Sequence, residues 1–359
     1  MSKYDGFFKL IDIYNTAPTP KEIQPFDMPT LLGELLINRM GGVAYEALNQ
    51  NGTFKGYPKE FKTALENAHL ANSIKTEIFK KHLKYLSGVF ANTSFKYAFL
   101  KGAFLSTKVY KDGLRTSNDI DVLLLQQDIT ACQQLLLQNG FVQGKYDKQS
   151  GIIPATRQEI IHSRMNFGET IPFVKIIDNN CLEVDLNFSL DFKAKNNNDT
   201  ISLMLSDAQR VEVDGEYEFY TLSLPHFLIH LCCHLYKEAT TYDWVASNRD
   251  LTLYKFCDIY MFLKQYGNAE YFDVLEQEIC KLNLYKECCY TFRNTSLIYP
   301  RMFEISGFKD FLARIEPQDK AFLKQIYWPK RKQIFEYDMD FEDWIFCRNK
   351  RAQLRLIGQ

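Results

Sequence analysis

Apolar and polar positions divide the chain into stretches of different period. From Leu31, apolar Leu32, Leu35 and Leu36 recur at helical spacing until Gly41-Gly42 weakens or ends the run. Glu60 to Leu86 repeats that period through Phe61, Leu65, Ala68, Ile74, Ile78, Phe79 and Leu83, which predicts a second, longer helix. Pro18, Pro20, Pro25 and Pro29 keep helix interior out of the segment before Thr30, which reads as an extended connector. The period then changes. YAFL at Tyr97, DIDVLLL at Asp119, FVQG at Phe141, TIPFVKII at Thr170, CLEVDLNFSL at Cys181 and YEFYTL at Tyr217 are short and rich in aromatic or β-branched residues, as strands are. Among them, Ile129 to Gln138 has helical spacing closed by Asn139-Gly140. Ala194 to Thr200, AKNNNDT, is turn-forming and predicts an exposed loop. After Pro225 three stretches with apolar residues three or four apart predict helices again.

These periods predict an α+β protein with an α/β core on a mixed sheet: a helical N-terminal segment over 1–86, the core over 87–220, a helical domain over 221–300 and a C-terminal helical segment over 301–359. With 359 residues, 46% of them hydrophobic, the chain can bury the cores of two or three domains. A net charge of −1 gives no overall field that would point to nucleic acid or a membrane surface. The nine cysteines are odd in number and lack CxxC pairs, so they read as reduced thiols, and the expected location is the cytoplasm. No apolar run reaches the roughly 18 to 20 residues that span a bilayer.

Chemistry concentrates between Tyr97 and Leu125. A short strand leads into a turn at Lys101-Gly102, a helix opening at Ala103, a loop containing Arg115 and Ser117, and a second strand carrying Asp119 and Asp121. Residues two apart on a strand point the same way, so the two carboxylates can share a cation. In CLEVDLNFSL the alternation repeats: Glu183, Asp185 and Asn187 take one face, and Leu182, Val184, Leu186 and Phe188 the other. If the two strands are neighbours, Asp185 completes a three-carboxylate cluster, with Glu183 as the competing third member. Such hard oxygen donors suit Mg²⁺, and two ions can clamp the attacking and leaving oxygens of a phosphoryl or nucleotidyl transfer. Gly102 and the helix start at Ala103 suit an anion such as a triphosphate, and Lys101 or Arg115 can add charge-assisted contacts.

Each feature also has a structural reading. Asp119 and Asp121 can be solvated acids at a strand entrance, and Lys101 or Arg115 can pair with structural carboxylates. His226, His230 and His234 fall four apart on one helix, but without a His-Glu-x-x-His pattern they read as packing rather than as a zinc site. Lys255 and Asp258 are either a surface pair three residues apart or part of a cleft wall. Lys330-Arg331-Lys332 reads as a solvated basic face.

The set K-G-A-x-L, R-x-S-x-D-I-D and E-V-D-L-N-F-x-L resembles the polymerase-β-type nucleotidyltransferase superfamily. More narrowly it resembles a bacterial group of uncharacterised nucleotidyltransferases with motifs LLKGxxL, RxxxDIDLLV and D-L-H-W-x-L. The resemblance covers about residues 60 to 265 and includes His234 and Asp258. It implies a polymerase-β-like fold, metal ligation by Asp119, Asp121 and Asp185, and Asp185 as the group that activates the acceptor hydroxyl. Gly102 matches the motif glycine; Lys101, Ala103, Arg115 and Ser117 are the expected nucleotide contacts. The implied substrates are a nucleoside triphosphate, used with two Mg²⁺ ions, and an acceptor that is a small molecule, a modified peptide or tRNA. Two departures stand out: Ala103 takes the place of a glycine or serine, and Asn187 stands where the group often has histidine. Two other functions fit the same fold, a nucleotide-binding module without catalysis and a tRNA-directed toxin.

Overall fold

The computed structural model describes residues 2–166, 170–190 and 198–358. The predicted loop at Ala194 to Thr200 lies mostly outside them. Its described end, from Asn198, opens a helix, Asn198–Ser206. Contacts divide the chain into two units, one of Ser73–Asp112 with Thr116–His230, the other of Met1–Asn72, Gly113–Arg115 and Leu231–Gln359.

The first unit is built on a six-stranded mixed sheet. Its strands are β1 (Tyr97–Phe99), β2 (Asp119–Leu124), β3 (Val142–Asp147), β4 (Gly151–Pro154), β5 (Phe173–Ile177) and β6 (Asn180–Asn187), in the order β1-β2-β6-β5-β3-β4. Only β2 and β6 pair in parallel; the other neighbours are antiparallel. A hairpin of β7 (Gln209–Val213) and β8 (Tyr217–Thr221) completes the strands of this unit. Ile120, Val122, Leu182, Val184 and Leu186 are buried on the apolar side of β2 and β6, which fixes the register, since a one-residue slip would bring the acids there instead. The helix Lys59–Phe90 sets Phe90 against Tyr97 and Phe99, with ring centroids 4.8 and 5.3 Å apart. Thr221 donates to the carbonyl of Phe99 at 2.7 Å, tying the end of β8 to β1.

The second unit is mostly helical. The run expected to weaken or end at Gly41-Gly42 ends just before it, with the helix Met28–Ile37, and the two glycines open a further helix, Gly41–Gln50. The glycine is needed for close approach: a Cβ on Gly42 would lie 2.0 Å from the carbonyl oxygen of Gly113. Pro29 sits in the first turn of Met28–Ile37, where a missing N–H costs nothing, and Asp27 caps it by accepting from the amide of Thr30 at 2.9 Å. Beyond Arg301, where helix is expected, the chain also forms an antiparallel sheet of β9 (Gln325–Trp328), β10 (Gln333–Glu336) and β11 (Arg355–Gly358), in the order β11-β10-β9. No helix among the described residues is long and apolar enough to cross a membrane.

Candidate active site

The parallel pairing of β2 with β6 sets Asp119 opposite Glu183 and Asp121 opposite Asp185. Directly paired residues on neighbouring strands share a sheet face, so three aspartates, Glu183 and Asn187 form one polar row while their alternates are buried apolar side chains. Two segments far apart in sequence thus supply one acidic surface.

Asp121 is its most enclosed member, 4% exposed. Its Oδ1 accepts from Lys101 Nζ at 2.8 Å and from Asn187 Nδ2 at 3.2 Å. The Asn187 amide also donates to the carbonyl of Asp185 at 3.3 Å, linking the two carboxylate positions. Asn187 therefore works as a donor to Asp121. Burial, and after it the negative charges of Asp119 and Asp121, push the Glu183 carboxyl above its usual range. Negative charge is concentrated on this face, and a cation there would relieve it.

Lys101 is held in an unusual backbone conformation, φ 43° and ψ −110°. Hydrogen bonds fix it on both sides: Leu100 N donates to the Asp121 carbonyl at 2.9 Å, and Leu105 N to the Lys101 carbonyl at 2.9 Å. The helix after it is short, one α-turn at Gly102–Phe104 followed by a π-turn at Leu105–Val109. The Ala103 amide donates to the Leu100 carbonyl at 3.0 Å, so this N–H points into the turn and not toward a ligand. Ser117 packs on the same turn: a Cβ on Gly102 would lie 2.6 Å from Ser117 Oγ, which is itself 2.8 Å from Ser106 Oγ. Strand, turn and loop thus bring Lys101, Gly102, Ser117 and Asp121 together.

Arg115 has a different place. It belongs to the second unit, where its Nε and Nη2 make a buried two-pronged contact with Oδ1 and Oδ2 of Asp258 at 2.8 and 3.0 Å. Asp258 lies on the helix Leu253–Tyr266. Lys255 on the same helix is also buried and is paired with Glu238, so Lys255 and Asp258 are not a surface pair. Glu238, which sequence reasoning did not single out, is also 3.5 Å from His234. The i, i+4 spacing of His234 and Glu238 was the available signal. His226 is paired with Asp207, Nδ1 to Oδ1 at 2.9 Å.

As the side chains stand, no three His, Cys, Asp or Glu residues among those described converge closely enough to hold a metal ion. The carboxylates share a face rather than a coordination sphere, and the Lys101 ammonium takes an oxygen that Asp121 would offer. The donor chemistry nevertheless suits Mg²⁺: half-buried carboxylates on adjacent strands, with an amide beside them.

A mixed sheet carrying an Asp-x-Asp strand beside a second acidic strand is the arrangement expected of a nucleotidyltransferase. The family of uncharacterised nucleotidyltransferases matches residues 24–300, and the chain belongs to it. No curated protein sequence matches the chain.

Proposed function

We propose that the protein is a Mg²⁺-dependent nucleotidyltransferase that moves a nucleoside monophosphate from a nucleoside triphosphate to an acceptor hydroxyl or phosphate and releases pyrophosphate. The observation that carries this is the register that sets Asp121 opposite Asp185 and Asp119 opposite Glu183 on one face of the sheet. Asp119, Asp121 and Asp185 are the oxygen donors for the ions, and Glu183 adds charge at the edge of the row. Mg²⁺ held by these carboxylates would supply the positive charge that an in-line displacement needs at its attacking and leaving oxygens. Asp185 also orients the acceptor hydroxyl and takes up its proton. Gly102 lets Ser117 pack against the turn, where a Cβ would lie 2.6 Å from its Oγ, and the Ser117 hydroxyl held there can donate to a phosphate oxygen. Lys101 adds a charge-assisted contact. The acceptor is a small molecule or a modified peptide, with tRNA as a further candidate.

The test uses triphosphates labelled at the α or the γ phosphorus, incubated with Mg²⁺ and fractions of a cell extract. Label from the α position enters an acceptor, label from the γ position leaves as pyrophosphate, and Asp121→Asn lowers transfer by more than about a hundredfold, beyond what loss of an outer-shell partner brings. Transfer of γ label would make the enzyme a kinase. Nucleotide binding with no label in any fraction would make it a binding module, and label confined to tRNA with growth arrest on expression would make it a toxin.

A further inference from the structure

Lys101 combines two features that its neighbours lack. It is a non-glycine residue at φ 43° and ψ −110°, a backbone region that an L side chain adopts only when its surroundings enforce it. Its ammonium lies 2.8 Å from Oδ1 of Asp121, with 21% of the lysine side chain and 6% of the aspartate side chain exposed. Ordinary strand-to-helix turns place glycine at such a position. Here the fold accepts the strain at a residue whose positive charge stands inside an acidic row. A lysine serving only to bind phosphate from solvent needs neither the strain nor the enclosed carboxylate.

We propose that Lys101 is the resident cation of the site: its ammonium neutralises Asp121 before nucleotide arrives, competes with the divalent ion for that carboxylate, and transfers to the polyphosphate when the ion enters with it. This rests on Asp119 and Asp121 being cation ligands. Three physical consequences follow. The acidic row is neutralised in part without metal, which lowers the repulsion among Asp119, Asp121 and Glu183. A bare divalent ion binds weakly, because it must displace an ammonium held by a short charge-assisted hydrogen bond. An ion that arrives with a triphosphate binds well, because the displaced ammonium gains a new anionic partner. Lys101 is thus a positioning residue that couples metal loading to nucleotide loading. Asn187 keeps its donor on Asp121 throughout the exchange.

The test is binding of Mn²⁺ alone, followed by electron paramagnetic resonance at constant ionic strength, to the full-length protein and to Lys101→Met, Lys101→Gly, Lys101→Arg and Asp121→Asn. Lys101→Gly accepts the positive φ without a Cβ and so serves as the folded comparison if Lys101→Met unfolds. Both neutral variants are expected to bind Mn²⁺ about tenfold more tightly than the natural protein, the effect of removing one competing charge-assisted hydrogen bond. Lys101→Arg, which keeps the charge, is expected to stay within about twofold, and Asp121→Asn to lose the site. With a fluorescent triphosphate and no metal, the neutral variants are expected to bind more weakly. If they bind Mn²⁺ no more tightly than the natural protein, and Asp121→Asn still abolishes binding, the exchange is wrong while the metal site stands. If no variant shows Mn²⁺ binding that Asp121→Asn removes, the metal site fails and the exchange with it.

Discussion

Asp121 shows how much a single residue's surroundings can alter what its sequence position suggests. In the sequence it is one of two acids on alternate positions of a strand, and an exposed acid contributes little to stability. In the fold it is buried, with Lys101 and Asn187 both donating to one of its oxygens. Truncation to alanine would strand the ammonium and the amide, so Asp121→Asn is the cleaner probe of chemistry. Asn187 offers a separate test. Asn187→Ala removes a donor that orients Asp121 without removing any carboxylate, and a loss of about 10- to 100-fold in nucleotidyl transfer is expected, with unchanged thermal stability to within a few degrees. The acids and Asn187 were legible from strand alternation alone. The hydrogen bonds of Lys101 and Arg115 were not, since a cation's partner is fixed by tertiary packing: Arg115 pairs with Asp258, 143 positions further along the chain.

At the scale of elements, the turn between β1 and the helical turns after it leaves no space for a side chain at Gly102. Gly102→Ala would drive a methyl group to 2.6 Å from Ser117 Oγ and 2.9 Å from Ser117 Cβ. The expected cost is about 1–3 kcal/mol in urea denaturation, and most of it should return in Gly102→Ala with Ser117→Gly. The helix Lys59–Phe90 carries a pH-dependent element. Burial lowers the His82 imidazole below its ordinary value of 6.5, against a smaller raising effect of Asp178. A lowered folded value means that this contribution to stability is present above pH 6.5 and is lost as the pH falls through the folded value. Between pH 7 and pH 5 the natural protein should therefore lose more thermal stability than His82→Leu. Strands with strong apolar alternation, such as β2, β5 and β6, could be read directly. Two others could not: β4 and β7 carry too few β-branched or aromatic residues in a row, and are stabilised by pairing with β3 and β8. The helix opened by Gly41-Gly42 was missed for the opposite reason, because the two glycines answer to a distant backbone contact rather than to local helix propensity.

For the whole molecule, periodicity conveyed an α+β protein with a mixed sheet, but not the sheet order or the strands near the C-terminus. Strand order depends on which apolar faces meet, and no local pattern encodes that. The C-terminal part also holds a buried ion pair in the second unit: Lys350 Nζ lies 2.7 Å from Asp250 Oδ2, with almost no exposure of either side chain, and 5.4 Å from the centre of the Trp344 ring. Burial raises the Asp250 carboxyl above its usual range, opposed by the Lys350 charge. Lys350→Ala leaves that carboxylate buried without its partner, and a loss of about 3–5 kcal/mol in chemical denaturation is expected. Lys330 and Arg331 sit on a short turn before β10; Lys330 is paired with Asp243 at 2.9 Å, and Arg331 lies over the Trp328 ring. The central claim concerns the face shared by β2 and β6. It is tested most directly by a crystal structure with Mg²⁺ and a non-hydrolysable nucleoside triphosphate. The expected result is density for cations bound by Asp119, Asp121 and Asp185, a triphosphate beside Gly102 and Ser117, and the Lys101 ammonium moved from Asp121 to a phosphate oxygen. Nucleotide bound away from this face, or bound beside carboxylates that hold no ion, would contradict it.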